Sequence, residues 1–219
     1  FGFKKRREIG KKLQNKYHQA YILPNSFKSA LIPFFAKIKT RTGFCGEMRF
    51  GLINDIRFLD TDDHPLMIQR YSHLAHPRSK KIEPGEISQP KMSVNKEKAQ
   101  ALAKKYGVDQ SDKPVLALCP GAAYGPSKRW PAKHFAKLAE LQLNKGYEIW
   151  LLGAKSDIKS CELINKANDG QLKNFAGKIP LKESIALLSL TDTVVCNDSG
   201  LMHISAALGK KVIAIFGSS

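Results

Sequence analysis

Two short segments carry residue types that could do chemistry. The first runs from Cys119 to Pro131 (CPGAAYGPSKRWP), where an apolar run ends and a helical pattern opens with a proline in its first turn, a position proline suits. Gly121, Ala122 and Ala123 are small enough for a ligand to approach the backbone, and Lys128 can reach a phosphate. The spacing is neither that of a P-loop nor G-x-G-x-x-G. A tight strand–helix turn with a surface Lys-Arg pair accounts for the same residues. The second segment is Cys196 to His203 (CNDSGLMH). Asp198 or Ser199 can cap the following helix and Gly200 leaves its first N–H groups open, which makes a ready anion site. Taken alone it reads equally as a good N-cap, with His203 an ordinary helix residue. Two such loops on one sheet edge point to a diphosphate site.

A third set lies in the first half. Asn25 to Ser29 (NSFKS) follows a strand pattern, and Arg41 to Gly51 (RTGFCGEMRFG) reads as a glycine-rich loop with two arginines. Arginine suits bidentate recognition of carboxylate or phosphate, although a solvated basic loop would look the same. Asp60-Thr61-Asp62 matches a D-x-D metal motif that any acidic loop can match. His73 and His76 have helical spacing but no evident third ligand, so no metal site is expected.

The elements that must position these residues are clearest in the second half. Apolar runs at Val115–Cys119, Tyr147–Leu152, Asn174–Phe175, Thr193–Cys196 and Lys211–Phe216 alternate with helical patterns at Pro131–Asn144, Asp157–Ala167, Lys182–Leu190 and Gly200–Leu208. Strands alternating with helices predict an α/β fold with a parallel sheet covered on both faces. The first half predicts a strand at Gln19–Leu23 and helices at Ser26–Lys37 and Leu66–Ala75. A polar stretch from Ser79 to Asp112, with a weakly amphipathic helix at Asn95–Tyr106, reads as inter-domain. The expected division is residues 1–93, a connecting region 94–112, and residues 113–219.

Composition narrows the class. The chain has 219 residues, 42% hydrophobic and 25% charged, as in ordinary globular proteins. The longest apolar stretch, Ala30–Ile38, is interrupted by Pro33 and Lys37 and falls well short of the roughly 20 residues of a membrane-spanning helix. The net charge of +17 implies anionic partners: nucleic acid, lipid headgroups or phosphorylated sugars. No nucleic-acid recognition motif accompanies it. The basic run Lys4–Lys12 reads as a solvated helix face that can touch lipid headgroups. Cys119 and Cys196 end apolar runs, and no C-x-x-C pair is present, so buried, reduced thiols and a cytoplasmic setting are expected.

Tyr21–Ala30, Arg41–Asp55, Pro120–Pro131 and Asn197–His203 together, in this order, resemble the lipopolysaccharide heptosyltransferases. The resemblance spans nearly the whole chain. It implies a GT-B architecture of two Rossmann-like domains with parallel sheets, the first for the acceptor and the second for the nucleotide sugar, both incomplete here. It further implies an inverting transfer of L-glycero-D-manno-heptose from ADP-heptose onto the first heptose of the lipopolysaccharide inner core. Lys128 and Asp198 would be catalytic. Gly121, Ala122, Ala123, Lys128, Asp198, Ser199, Gly200, Leu201 and His203 would hold the donor, and Lys28, Arg49 and Arg70 the acceptor. No cofactor is implied beyond the ADP-heptose substrate. The partners would be the ADP-sugar donor, the anionic core acceptor and the inner-membrane surface, with no nucleic acid. The family's general base is an acidic residue in a strand–helix loop expected to precede Phe1, and its closing helices are expected to follow Ser219. This chain is therefore expected to bind nucleotide but to transfer heptose poorly. The competing readings are another GT-B sugar-nucleotide enzyme, a sister transferase or an epimerase, separable by nucleotide preference, and a basic nucleic-acid-binding protein, separable by steeply salt-dependent binding of random DNA.

Overall fold

The computed structural model describes residues 2–108, 112–123 and 126–217. The chain forms two compact units, Phe1–Ser88 and Gln89–Ser219. Among the described residues no helix is long and apolar enough to cross a membrane.

The first unit contains helix α1 (Phe3–Lys12), strand β1 (Gln19–Ile22), helix α2 (Leu31–Phe35), strands β2 (Thr40–Phe44) and β3 (Asp55–Arg57), and helix α3 (Met67–His73). The three strands pair in parallel in the order β1-β2-β3. The helix expected from Ser26 begins as a 3-10 turn, Phe27–Ala30, and becomes α-helical only at Leu31. Pro33 lacks the N–H that a longer α-helix would need there.

The glycine-rich run from Arg41 differs from its expected loop. Its first four residues belong to β2, the central strand, with Thr42, Gly43 and Phe44 buried. A strand covered on both faces loses the polar–apolar alternation that would have marked it. The polar edge strand β3 was likewise not anticipated. It carries Asp55, whose carboxylate accepts from Thr42 Oγ1 at 2.9 Å, Arg57 Nη2 at 2.9 Å and Arg78 Nη2 at 2.7 Å.

The second unit contains α4 (Lys96–Lys105), β4 (Val115–Cys119), α5 (Ala132–Leu143), β5 (Glu148–Leu151), α6 (Ile158–Lys166), β6 (Lys173–Asn174), α7 (Leu181–Leu188), β7 (Thr193–Asn197), α8 (Gly200–Ala207) and β8 (Lys211–Ile215). All five strands are parallel, in the order β6-β5-β4-β7-β8. Side chains alternate between two buried faces, as strand geometry requires. Leu116, Leu118, Ile149, Leu151 and Val195 pack with Phe135, Ala139, Cys161 and Ile164 of α5 and α6. Ala117, Cys119, Trp150, Val194 and Cys196 pack with Ala103, Leu187 and Leu188 of α4 and α7. Each large apolar side chain so buried contributes about 1.5–3 kcal/mol. Asn95 caps α4 by accepting from Lys98 N at 2.9 Å, and the helix packs against α7, within the second unit. Cys119, Cys161 and Cys196 are buried free thiols; burial pushes Cys161 up to about 12 and Cys196 to about 11.

Partial burial alone would raise the Asp55 carboxyl, but the hydrogen bonds from Arg57, Arg78 and Thr42 outweigh it and hold it at about 2. A depressed folded-state value contributes stability above the unfolded pKa, lost as pH falls from about 4 through 2. Allowing for solvent screening, the contribution is on the order of 1 kcal/mol at neutral pH. Asp55→Asn is expected to lower stability at pH 7 by that amount and to flatten its decline between pH 4 and 2. Urea melts across that range check both effects.

Candidate functional site

The order β6-β5-β4-β7-β8 places the first strand of the unit, β4, between β5 and β7. The chain builds outward from β4 on one side, then crosses back to its other side. Loops leaving the carboxyl ends of β4 and β7 must diverge at this reversal, which opens the crevice where doubly wound sheets bind ligands. The two chemistry-bearing segments are those two loops.

A single buried amide joins them. Asn197, the last residue of β7, is 0% exposed. Its Nδ2 donates to the Pro120 carbonyl at 2.8 Å and its Oδ1 accepts from Trp130 N at 3.0 Å. Both ends of the first loop are thus fixed to the root of the second. Arg129 steadies the loop from within, donating from Nη2 to the Ala122 carbonyl at 2.9 Å. Lys128 Nζ lies 2.8 Å from Asp198 Oδ2, both side chains partly exposed. Ser199 is the N-cap of α8, yet its side chain makes no capping hydrogen bond, so it leaves the first N–H groups of that helix uncapped.

Beside these loops lies a cleft of about 660 Å³. Gly121, Ala122, Ala123, Ser199, Gly200 and Leu201, six of the nine residues assigned above to the donor, line it. Lys128, Asp198 and His203 do not: the first two face each other as an ion pair, and His203 is exposed on α8. Tyr124 and Gly125 of the first motif lie outside the described residues. Sequence reading missed the opposite wall, formed by the loop after β5 and the start of α7, including Asp157, Ile179, Pro180 and Leu181. Asp157 is buried and accepts from Ala154 N at 2.8 Å. A Cβ on Gly121 would lie 2.3 Å from Asp157 Oδ2, and one on Gly153 2.9 Å from Asp157 Cβ, so both positions exclude side chains. The glycines were legible as small residues, but the carboxylate they accommodate lies 36 residues beyond Gly121 and is brought there only by the sheet.

In the first unit the expected acceptor residues differ in setting. Lys28 is exposed on the turn after β1. Arg49 is 3% exposed, and its guanidinium donates to the carbonyls of Pro24 and Phe44 and to Ser29 Oγ. It braces the loops after β1 and β2, a structural use that its loop position did not reveal. Burial pushes its pKa down. Arg70 donates to the carbonyls of His64 and Pro65 at 2.8 and 3.0 Å and fastens the turn before α3. Asp60 is engaged in its own turn, accepting from Asp62 N and Asp63 N. His73 packs against His64 with the two rings tilted at 39° and their centroids 4.5 Å apart. Among the described residues no group of three or more His, Cys, Asp or Glu is placed to hold a metal ion.

A parallel sheet with a crevice at its strand reversal, lined by backbone and small residues beside a lysine and a helix N-terminus, defines a Rossmann-like domain. Comparison with known proteins narrows this. The sequence model of glycosyltransferase family 9 (heptosyltransferase) matches residues 6–219, and the chain belongs to that family. It is 41% identical to lipopolysaccharide heptosyltransferase 2 of Salmonella typhimurium over 98% of its own length, and 40% identical to lipopolysaccharide heptosyltransferase 2 of Escherichia coli. It spans 64% of the length of these curated relatives. The structure of E. coli ADP-heptose lps heptosyltransferase II superposes with a TM-score of 0.88 at 39% identity, covering 99% of this chain and 68% of that one. The α/β fold with parallel sheets is thus the GT-B fold of heptosyltransferases, present here over about two thirds of its length.

Replacing Asn197 with alanine leaves a buried carbonyl without a donor and the Trp130 N–H without an acceptor, each costing about 1–3 kcal/mol. Asn197→Ala is expected to lower the chemical denaturation midpoint correspondingly, whereas exposed Lys133→Ala on α5 should not. Equal midpoints for the two variants would show that the loops are held by something other than the amide.

Proposed function

We propose that this chain carries the nucleotide-sugar half-site, and part of the acceptor half, of an inverting glycosyltransferase that moves heptose from ADP-heptose onto the first heptose of the lipopolysaccharide inner core. One observation carries the reading: the Lys128–Asp198 pair and the open N-terminus of α8 stand at the strand reversal, on loops locked together by Asn197. Glycosyl transfer builds oxocarbenium character on the sugar while negative charge grows on the departing diphosphate. A cation and a set of aligned N–H donors favour that state over the ground state, and so accelerate bond cleavage. Asp198 sets the reach of Lys128. Gly121, Ala122 and Ala123 admit the diphosphate to the backbone, with Ser199, Gly200 and Leu201 facing it. His203, one turn into α8, meets the donor from the solvent side.

Lys28 is the exposed cation of the first unit that this reading assigns to the anionic acceptor. Arg49 supports the loop that carries Lys28, and Arg70 fastens the turn before α3. The 40% identity to heptosyltransferase 2 supports the choice of acceptor and of heptose. No cofactor enters beyond the ADP-heptose substrate. Work at the inner face of the cytoplasmic membrane follows from a lipid-linked acceptor and fits the free buried thiols.

Calorimetric titration of the chain with ADP and UDP tests the donor assignment. ADP is expected to bind more tightly, and Lys128→Ala to weaken it by about 10- to 100-fold, the range for a lost hydrogen bond to a charged group. Equal binding of UDP, or an unaffected Lys128→Ala, would remove the ADP-sugar assignment.

A further inference from the structure

The first unit holds a second hollow, of about 490 Å³, between α1 and α2 at the amino end of β2. One wall is helical: Arg7, Lys11 and Gln14 follow one another at four- and three-residue intervals and so share a face of the α1 region. The two helices touch through Gly10. A Cβ there would lie 2.6 Å from Phe35 Cβ and 2.8 Å from the Ile32 carbonyl, so only glycine allows this approach. Phe34, Phe35 and Ile38 form the apolar part of the hollow. Lys37, Lys39 and Arg41 complete its rim.

The charge around it is one-sided. Residues 1–41 contain eleven Lys and Arg and a single carboxylate, Glu8, which pairs with Lys5 at 3.3 Å. Elsewhere in the unit surface cations have carboxylate partners, as Arg78 has Asp55, Lys80 has Glu86 and Lys81 has Asp63. Among the described residues none of the five cations lining the hollow makes an ion pair, and none of its lining residues is acidic. Arg41 is fixed in place: Nε donates to the Leu52 carbonyl at 2.7 Å, Nη1 to the Ile38 carbonyl at 2.6 Å, and the guanidinium carbon lies 5.8 Å from the Phe34 ring centroid. These bonds leave Nη2 for a ligand.

Lys37 adds a second, independent sign. Its N–H bonds the Phe34 carbonyl and the next N–H, of Ile38, bonds the Pro33 carbonyl, a Schellman ending for α2. Its φ is 55°, the left-handed conformation in which glycine is the ordinary residue. A lysine here strains the backbone and brings an ammonium to the rim.

We propose that this hollow docks the chain on a membrane by receiving the phosphate of an anionic phospholipid headgroup. The apolar edge selects a lipid over a soluble phosphate. Phe34 is 40% exposed on the rim and Phe3, stacked edge-on against Phe35, is 58% exposed beside it. Aromatic rings next to unpaired cations are the pairing that suits the headgroup layer. The proposal is independent of the donor site and stands whatever sugar nucleotide binds there.

Cosedimentation with phosphatidylcholine vesicles, with and without phosphatidylglycerol, tests it. Binding is expected only to the anionic vesicles. Arg7→Gln/Lys11→Gln should weaken it by about fivefold per charge removed, and Lys37→Gly by about fivefold. Lys37→Gly also relieves the backbone, so its melting temperature should not fall and its loss of binding cannot come from unfolding. Lys133→Gln/Lys145→Gln, two exposed cations of the second unit, makes the same change in net charge as the Arg7/Lys11 variant and should have little effect. An equal loss in that variant, or full retention in Lys37→Gly, would overturn the proposal in favour of diffuse charge. Displacement from vesicles by millimolar inorganic phosphate at constant ionic strength would overturn it in favour of a soluble phosphate ligand.

Discussion

The site depends on one neutral amide. Strands β4 and β7 are held in register as far as Cys119 opposite Cys196, and beyond that pair the chains part company. One leads through a long loop to α5, the other turns directly into α8. Sheet hydrogen bonding cannot hold the two loops together past the strand ends. Asn197 does so, because it offers a donor and an acceptor at once, to Pro120 and to Trp130. A charged residue at a fully buried position would need compensation that a neutral amide does not. Trp130 then carries the constraint into the core, packing edge-on against the buried ring of Phe135 at 4.9 Å. The loop bearing Lys128 is thereby attached to the α5 layer at one end and to β7 at the other.

The cleft beside it combines two environments. Its far wall combines the apolar stretch from Ile179 to Leu181 with the buried carboxylate of Asp157, while its near side presents backbone and Ser199. A ligand with a flat ring at one end and a diphosphate at the other satisfies both. The exclusion of side chains at Gly121 and Gly153 keeps the carboxylate tight against the sheet edge instead of in the path of an entering anion. On the proposed function, shape and charge would therefore orient a nucleotide before any catalytic contact is made.

Much of the second unit was legible in the sequence because its strands are apolar runs separated by amphipathic helices, a pattern fixed by burial on both sheet faces. The two loops were legible for the same reason, since each sits where such a run stops. Arg49 was not. Arginine in a glycine-rich loop carries the same letters whether it faces solvent or bonds the Pro24 and Phe44 carbonyls, and only the closure of β1 on β2 decides between them. Strand β2 was hidden by Gly43 and β3 by its charged ends. Asn197 and Asp157 were hidden differently: their partners lie 77 and 36 residues away in sequence, and no local spacing encodes a contact made by topology.

The Lys128–Asp198 pair works as preparation more than as attraction. A lysine free in solution samples many rotamers, and fixing it on ligand binding would cost up to about 2 kcal/mol. Asp198 does the fixing during folding, at 2.8 Å, so that cost no longer falls on the bound state. The pair is neutral as a whole, which means that it does little to draw an anion from afar. The N–H groups of α8 supply the standing positive potential instead, and they need no rearrangement to do so. On the proposed function, as a bond to the diphosphate breaks and charge builds on its oxygens, the balance within the pair would shift: the ammonium would gain a stronger anion to face, while its distance from Asp198 would change little. An interaction that strengthens with the charge of the transition state lowers the barrier, and one already complete in the ground state does not.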